Sequence, residues 1–399
     1  MRIVIVVGYF PEHTGYQEVV LARTLSSLGH DVTVLTSTRF NPAFTDEMLR
    51  AYGYTRNMTA GLVQADGYRI FRLIPKYEWR HMVYCQDVKE TLSRLKPDLL
   101  VCFAVGQLMP FQATRWNRPA RAKMVTVYGD NAANYSDLPK PLRLIKRIIF
   151  YFTKGVCYLL ANNRSDAVLC NTPDTIKILR PLCSGRTPQL LPLGFDKEDF
   201  FPDADLRCLT RKGLALGDQD VLVVSVGKII PEKCLEQLVK TVADLHSDHP
   251  YLRLLLIGAS ETNYCRRLCE WISSTPQLKK TVQVLPFLDH KELNAYLNAA
   301  DIGVWPRQPA VTIQEAMGTG IYLVLPRTDQ VSHLLREGSG QYFEPAKDDA
   351  MRQAIVEAID DVKGERWSIR EARAEKNHWL EKQQITEQLL SFVCLNHRV

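Results

Sequence analysis

The sequence predicts an α/β protein with two domains, each built on a doubly wound parallel sheet. A chain of 399 residues exceeds what one ordinary hydrophobic core supports, which indicates two domains. Short apolar runs alternate with amphipathic segments in both halves, with strands at residues 2–7 and 32–37 and again at 221–226 and 252–257. Strands that alternate with helices form parallel sheets covered on both faces, so we expect two such domains facing each other across a cleft.

The first half opens with a strand–helix–strand unit. The strand at 2–7 is followed by a loop at 8–15, a helix at 16–28 and a second strand at 32–37. The loop lacks the GxGxxG spacing of a dinucleotide-binding fold, which disfavours a hydride-transfer enzyme. Gly15 at the helix entrance would let a ligand approach the backbone closely, although a plain turn glycine accounts for it equally well.

The middle of the first half contains an aromatic-rich segment followed by two predicted strands. Residues 40–90 are irregular and rich in Tyr and Trp, which suits sugar or lipid-linked substrates as well as ordinary loop packing. Strands at 99–104 and 123–127 follow, and the second ends at Tyr128 and Asp130. Ligands bind at the carboxyl ends of strands in open α/β sheets, so both residues are candidates for a substrate contact.

Residues 139–160 predict an amphipathic helix with a basic stripe. Five cationic residues fall within about a third of the helical circumference, beside a broad apolar face: Lys140, Arg143, Lys146, Arg147 and Lys154. A peripheral contact with anionic lipid headgroups explains this pattern, and so does a core helix with a solvated basic face.

The composition excludes several classes of protein. With 46% hydrophobic and 24% charged residues, the chain is typical of a globular protein, and no run approaches the roughly 18 apolar residues of a membrane span. The start lacks the apolar core and cleavage site of a signal peptide, and ten scattered cysteines without a CxxC pair indicate free thiols, so we expect a cytoplasmic protein without a zinc site. A net charge of +6 favours anionic partners without indicating a nucleic-acid-binding protein.

The second half begins after a domain junction that starts at 190–202. An apolar strand and a glycine turn lead there into a polar, acidic, proline-containing connector that ends near Gly217. Gly227 and Lys228 follow the strand at 221–226, and Lys233 precedes the next helix. Two lysines at one strand end could neutralise a diphosphate, although a solvated surface pair is the alternative. The loops at Gly227, Gly258 and 306–312 all follow strands of one sheet, so they are candidates for the same crevice.

Residues 301–325 organise this crevice. An apolar strand at 301–305 leads through a polar loop into Thr312-Ile313-Gln314-Glu315, which reads as a capping box, and a second strand follows at 321–325. The N-terminus of a helix carries unpaired N–H groups and a partial positive charge, so it binds phosphate well. In the alternative, Glu315 is only a cap and the helix only packs.

In order and spacing, the chain resembles the retaining glycosyltransferases of the GT-B fold, family 4 (glycosyl transferases group 1). The resemblance extends over nearly the whole length and rests on these segments: the Gly15 loop, Gly29-His30-Asp31-Val32, Leu193-Gly194-Phe195-Asp196 with Phe201-Pro202, Val226-Gly227-Lys228 with Pro231-Glu232-Lys233, Leu256-Ile257-Gly258, Ala299-Ala300-Asp301, Glu315-Ala316-Met317 with Gly320, and His378-Trp379.

The resemblance implies two Rossmann-like domains with separate roles. Residues 1–194 would bind the acceptor, together with crossing helices at about 370–399, and residues 195–369 would bind a nucleotide-sugar. The implied site has the following members: Lys228, Lys233 and Asp130 as catalytic residues; Gly15, Gly227, Gly258, Arg307, Val311, Thr312 and Glu315 at the donor; and Tyr128 and His13 on the acceptor side. Lys228 and Lys233 would contact the diphosphate, and Glu315 would accept hydrogen bonds from the ribose hydroxyls.

Two positions depart from the family pattern. A glutamate that touches the donor sugar in the family is Arg307 here, and a histidine of the family is Tyr128, whose role Asp130 would take. These departures leave the identity of the donor sugar open. They also keep open a non-catalytic sugar-nucleotide-binding relative, beside an epimerase or phosphorylase on the same architecture.

The function expected from this resemblance is transfer of a sugar, with retention, from a nucleotide-diphosphate-sugar to a saccharide or lipid-linked acceptor in cell-surface polysaccharide or glycolipid synthesis. Positive groups at the leaving diphosphate would stabilise the charge that develops there, so no metal or other cofactor is expected. The expected location is the cytoplasm, with a possible peripheral contact to the cytoplasmic face of the membrane.

Overall fold

The computed structural model describes residues 1–12, 15–42, 46–51, 54–79, 82–129, 140–307 and 309–394. Its contacts divide the chain into unit 1, Met1–Pro192 with Ile385–Val399, and unit 2, Leu193–Gln384. Each unit contains a parallel sheet with helices between its strands, so the predicted α/β class with two doubly wound sheets is confirmed. The acceptor and donor roles of the two domains stay predictions.

The described part of unit 1 forms one eight-stranded sheet and a separate hairpin. The sheet has the order β10-β9-β8-β7-β1-β2-β4-β3, in which the pairing is parallel except between β3 and β4. The strands are β1 Arg2–Val6, β2 Asp31–Ser37, β3 Gly61–Gln64, β4 Arg69–Leu73, β5 Tyr77–Trp79, β6 Met82–Tyr84, β7 Leu99–Phe103, β8 Lys123–Tyr128, β9 Ala167–Cys170 and β10 Gln189–Leu190.

The helices of unit 1 connect these strands. They are α1 Gln17–Ser27, α2 Asp46–Ala51, α3 Val88–Leu95, α4 Leu108–Thr114, α5 Lys140–Phe150, α6 Val156–Asn162 and α7 Pro173–Leu179, with a π-helical turn at Tyr151–Gly155 between α5 and α6. The prediction that residues 40–90 are irregular is wrong, because β3, β4 and the hairpin β5–β6 lie there. These strands are short and only partly buried, so they lack the continuous apolar run that marks a central parallel strand.

Unit 2 contains a six-stranded sheet, parallel throughout, with the order β13-β12-β11-β14-β15-β16. Its strands are β11 Val221–Val226, β12 Leu252–Ala259, β13 Val282–Pro286, β14 Ile302–Val304, β15 Tyr322–Pro326 and β16 Gly340–Phe343. Its helices are α8 Ala204–Gly213, α9 Leu235–Leu245, α10 Asn263–Ser274, α11 Pro276–Thr281, α12 His290–Ala299, α13 Val311–Gly318, α14 Ala350–Val362 and α15 Trp367–Lys376.

Asp301, at the start of β14, ties α8 to the sheet of unit 2. Its carboxylate accepts hydrogen bonds from Arg207, Arg211 and the backbone N–H of Leu222. Arg370 on α15 is buried and donates to the carbonyl groups of Leu297, Ala300 and Thr319. These hydrogen bonds offset part of the cost of burying the charges, and burial still lowers the pKa of Arg370 to about 9.

The C-terminal segment, where the resemblance implies helices at about 370–399, contains two helices separated by a break. Helix α15 ends at Lys376, a 3₁₀ turn spans His378–Leu380, and α16 runs over Lys382–Cys394. The break has a tertiary cause, because Phe195 donates its N–H to Leu380 and accepts the N–H of Lys382. This pairing requires extended backbone at Glu381, which helical periodicity in the sequence does not reveal.

No helix within the described ranges combines the length and the hydropathy that a membrane crossing requires.

Candidate functional site

Two glycines shape the carboxyl edge of the unit 2 sheet. Gly227 and Gly258 follow or end the neighbouring strands β11 and β12, with φ values of 133° and 121°. A β-carbon on Gly258 would overlap the carbonyl group of Gly227, so the two loops approach each other backbone to backbone. Only glycine tolerates both the positive φ and this contact, which explains why both positions lack side chains.

The carbonyl oxygen of Val226 joins the ends of β11 and β14 to helix α13. It accepts a hydrogen bond of 2.9 Å from the indole Nε1 of Trp305 and one of 3.0 Å from the hydroxyl of Thr312. The predicted capping box is therefore wrong. Helix α13 begins at Val311, so Thr312 lies inside its first turn, and its hydroxyl has a tertiary partner instead of capping the helix.

The N-terminus of α13 has no side-chain cap. Ala310 occupies the N-cap position and has no side-chain acceptor, and the first helical residue, Val311, is exposed. The first N–H groups of a helix have no intrahelical partner, and the helix dipole adds partial positive charge there. This end of α13 therefore offers donors to an anion at the sheet edge.

Lys233 places its ammonium group directly beside Gly227. The residue ends the 3₁₀ turn Pro231–Lys233, and its Nζ occupies the space that a β-carbon on Gly227 would need. Burial, and then the charge of Lys228, lowers the pKa of Lys233 to about 8. A half-buried cation that is disfavoured in this way gains most from an anionic ligand, because the ligand restores the lost solvation.

Arg307 adds a third cation near the same loop. Its side chain is exposed, and its Nη1 lies 3.8 Å from the Sγ of Cys234. Cys234 has a left-handed backbone conformation with φ 53°, which glycine adopts with less strain. The position after Lys233 thus keeps the conformation that a glycine would favour, even though the side chain differs.

Glu315 is a buried carboxyl group on α13. One oxygen, Oε1, lies 3.3 Å from Nδ1 of His290, and Oε2 has no hydrogen-bond partner among the described residues. Burial, and then the charge of Asp199, raises the pKa of Glu315 to about 8. Below that pH the carboxyl group is largely neutral, and Oε2 is left for another partner.

The connector that precedes α8 positions Glu315. The backbone N–H of Gly194 donates to Oε1 of Gln314 at 2.6 Å, and Gly318 lies against Phe195 and Phe200 where a β-carbon would overlap their atoms. The ring of Phe200 packs edge-to-face against His290 at 5.8 Å. Sequence patterns missed this cluster, because its members lie in three separate segments of the chain.

The remaining predicted residues lie elsewhere. Gly15 is exposed in unit 1, between β1 and α1, whereas His13 and Asp130 lie outside the described residues. Tyr128 is fully buried in the core of unit 1, and its hydroxyl donates to Oδ1 of Asn162 at 2.6 Å. A side chain packed and hydrogen-bonded in this way argues against the predicted contact of Tyr128 with a substrate.

Most of unit 2 matches the model of a known family. Residues 209–376 match the model of the family described as glycosyl transferases group 1. Over 107 residues, the chain is 33% identical to an uncharacterized glycosyltransferase of Bacillus subtilis, YqgM. The matched stretch is 26% of this chain and 29% of that protein.

A second relative comes from Corynebacterium glutamicum. It is the GDP-mannose-dependent monoacylated alpha-(1-6)-phosphatidylinositol monomannoside mannosyltransferase, 22% identical over 183 residues, or 43% of this chain and 46% of that protein. The matches thus span about half or less of the length of these curated relatives.

Solved structures share the fold over the whole chain. Sucrose-phosphate synthase from Thermosynechococcus elongatus aligns with a TM-score of 0.71 and 17% identity over 99% of both chains. Anabaena HepE in complex with UDP aligns with a TM-score of 0.69 and 16% identity, over 99% of this chain and 100% of that chain. The fold is therefore that of the GT-B glycosyltransferases.

Proposed function

From the GT-B fold and the match of residues 209–376 to glycosyl transferases group 1, we propose that the chain is a sugar transferase. It would transfer a sugar, with retention, from a nucleotide-diphosphate-sugar to a saccharide or lipid-linked acceptor. The observation that carries the proposal lies at one edge of the unit 2 sheet. The ammonium group of Lys233 and the uncapped N-terminus of α13 lie together beside Gly227. Glu315, on the same helix, has a carboxyl oxygen without a hydrogen-bond partner among the described residues.

These groups match the parts of a nucleotide-sugar. Lys233, with Lys228 and the N–H groups of α13, would bind the diphosphate through charge-assisted hydrogen bonds of about 1.5–3 kcal/mol each. Glu315 would accept hydrogen bonds from the ribose hydroxyls at its free oxygen. The close approach of the Gly227 and Gly258 loops would let the ligand lie against the backbone.

The chemical step follows from the distribution of charge. Breaking the bond between the anomeric carbon and the diphosphate builds negative charge on the leaving group and positive charge on the sugar ring. Preorganised donors stabilise the leaving group, and Lys233, Lys228 and the start of α13 would supply them. In the retaining mechanism that we propose, the acceptor oxygen attacks from the face that the diphosphate leaves.

A lipid-linked acceptor on the cytoplasmic face of a membrane is the acceptor class that we propose. The relative from Corynebacterium glutamicum acts on a phosphatidylinositol mannoside according to its name, which supports a lipid-linked substrate. A role in cell-surface polysaccharide or glycolipid synthesis would follow.

The donor site is tested by thermal unfolding with UDP, GDP, ADP and CMP. We expect one nucleotide to raise the Tm, because a ligand at a hundred times its Kd stabilises the folded state by about 2.7 kcal/mol. UDP and GDP are the first candidates, given the UDP complex of HepE and the GDP-mannose-dependent relative. The corresponding sugar nucleotides are then assayed for transfer to saccharide and lipid-linked acceptors.

The outcomes separate the alternatives. Stabilisation together with transfer supports the proposal. Stabilisation without turnover under any acceptor condition would identify a non-catalytic binding protein, which the exposed Arg307 in place of a glutamate makes the second candidate. Turnover without an acceptor would indicate an epimerase. If none of the four nucleotides shifts the Tm, the proposed donor site is wrong.

The pKa of Lys233 predicts the pH dependence of the reaction. Below about pH 8 the ammonium is charged and binds the diphosphate, and above it the neutral amine binds weakly, so kcat/KM for the donor falls as the pH rises through about 8. Lys228 contributes to the lowered pKa of Lys233, so Lys228→Met shifts this midpoint to higher pH. The measurement is the pH profile of kcat/KM for wild type and variant.

The Lys228→Met variant also distinguishes titration of Lys233 from titration of Glu315. Glu315 titrates in the same range, but Lys228 acts on the pKa of Lys233 and not on that of Glu315. If Lys228→Met lowered kcat/KM but left the midpoint of its pH profile unchanged, the fall in kcat/KM at high pH would not be due to Lys233. Lys240→Met, at an exposed position on α9, serves as the control and should leave the profile unchanged.

A further inference from the structure

Unit 1 exposes a row of large apolar side chains along α5, the π-helical turn and the start of α6. We call this row the apolar stripe; its members are Leu142, Ile145, Ile148, Ile149, Phe152, Val156 and Leu160. Phe152 is 79% exposed, more than any other large apolar side chain described. Single exposed apolar residues are common on protein surfaces, but a contiguous group of this size indicates a contact with a partner.

The stripe is one face of a helix whose other side is anchored. Its main members follow one another in steps of three and four residues, which places them on the same side of the helical segment. Tyr158 is buried and packs edge-to-face against Tyr128 and Phe150 in the core of unit 1. The core therefore holds the segment in place, and the apolar stripe stays outside.

The same segment is strongly cationic. Residues 138–165 contain no Asp or Glu but include basic residues in and beside α5 and α6: Lys140, Arg143, Lys146, Arg147, Lys154 and Arg164. The described side chains of Lys146 and Lys154 are exposed. An exposed apolar face on a segment with several basic and no acidic residues matches the boundary between the headgroups and the acyl chains of an anionic bilayer.

We propose that the apolar stripe inserts into the headgroup–acyl boundary of an anionic lipid membrane, with Phe152 as its main apolar anchor and Lys146 bound to lipid phosphates. A second copy of this chain is a poorer partner, because pairing two such helices would bring their cationic residues together. The proposal goes beyond the transfer reaction, and it extends the predicted basic contact to apolar insertion. It does not depend on the donor site.

The test is cosedimentation of the full protein with vesicles of phosphatidylcholine mixed with phosphatidylglycerol, and with phosphatidylcholine alone, without any nucleotide. We expect binding to the anionic vesicles at low salt and much weaker binding to the neutral ones. Phe152→Ser should lower the partition coefficient at least about tenfold, since a buried phenylalanine contributes strongly to insertion. Lys146→Gln should lower it about fivefold and reduce the dependence on salt.

Leu209→Ser is the matched control, because Leu209 is 69% exposed but lies on α8 in unit 2. It should bind vesicles like the wild type. Unchanged Tm values would show that every variant folds. The proposal is overturned if the wild type ignores anionic vesicles at low salt, or if Phe152→Ser binds as well as Leu209→Ser. A dimer that Phe152→Ser converts to a monomer, without vesicle binding, would instead assign the stripe to self-association.

Discussion

Replacing Lys233 with alanine should lower the rate of glycosyl transfer by about a hundredfold to a thousandfold. Removing one preorganised positive donor from a developing anion typically has an effect of this size, which corresponds to about 3–4 kcal/mol of transition-state stabilisation. Lys233 is the cation that lies against the Gly227 backbone, whereas Lys228 is exposed. We therefore expect a larger loss for Lys233→Ala than for Lys228→Ala.

The folded state should tolerate Lys233→Ala. Burial lowers the pKa of Lys233, so its charged form is disfavoured by the protein environment, and its removal relieves that cost. Loss of activity with an unchanged or higher Tm would therefore point to a role in ligand binding and catalysis. The measurements are the transfer rate, the Tm and the Tm increase on adding the preferred nucleotide.

Lys240→Ala is the matched control for this experiment, since Lys240 is exposed on α9 and removes the same charge from the same unit. It should retain the wild-type rate. If Lys233→Ala and Lys240→Ala transferred sugar equally fast, the diphosphate would not lie at the Gly227 loop, and the proposed donor site would be incorrect.

The second large effect is expected for Glu315→Gln, which should weaken nucleotide binding about tenfold to a hundredfold while stabilising the protein at alkaline pH. The loss of affinity is expected above about pH 8, where Glu315 is ionised, because there the amide group replaces one of the two carboxylate acceptors for the ribose hydroxyls with a donor. The gain in stability follows from the buried charge. A residue retained at a cost to stability is typical of a functional site.

The sign of the stability effect follows from the raised pKa. Glu315 has a folded-state pKa of about 8 against an ordinary value of 4.5, so the folded state holds the proton more tightly than the unfolded state does. The resulting contribution to the free energy of unfolding is fully present below pH 4.5 and is lost as the pH rises through about 8, by up to about 5 kcal/mol. Glutamine cannot ionise, so the variant lacks this loss.

Thermal unfolding at pH 5 and pH 9 measures the effect. We expect Glu315→Gln to resemble the wild type at pH 5 and to exceed its Tm at pH 9. Glu371→Gln, at an exposed position on α15, should change neither the pH dependence nor nucleotide binding. A Glu315→Gln protein with a lower Tm than the wild type at pH 9 would mean that the carboxylate is stabilised in the folded state, contrary to its burial.

The site of unit 2 was predictable where it depends on local sequence. Gly227, Gly258 and Lys233 follow strongly apolar strands, and the edge at which parallel strands end is fixed by their direction. The capping box was a false local signal. Thr312 and Glu315 have the right spacing for it, but Thr312 donates to the carbonyl of Val226.

In unit 1, too, local sequence patterns predicted only part of the structure. Its central parallel strands were predicted, whereas β3 and the hairpin β5–β6 were not, since half-exposed short strands carry little periodic signal. The amphipathic segment is the opposite case. The sequence shows the helical periodicity of this segment. It does not show whether the apolar face is buried or exposed, because that depends on which residues pack against α5 and α6.

The sequence by itself determined the order of the central parallel strands and their helices, the α/β class with two sheets, and the positions of the glycine and lysine loops, because these follow from runs and spacings along the chain. Only the tertiary structure decided the environment of Glu315 beside His290, the hydrogen bond of Thr312, the burial of Tyr128 and the exposure of Phe152. Each of these features depends on residues that are distant in the sequence. Contacts with such residues leave no periodic pattern in the local sequence.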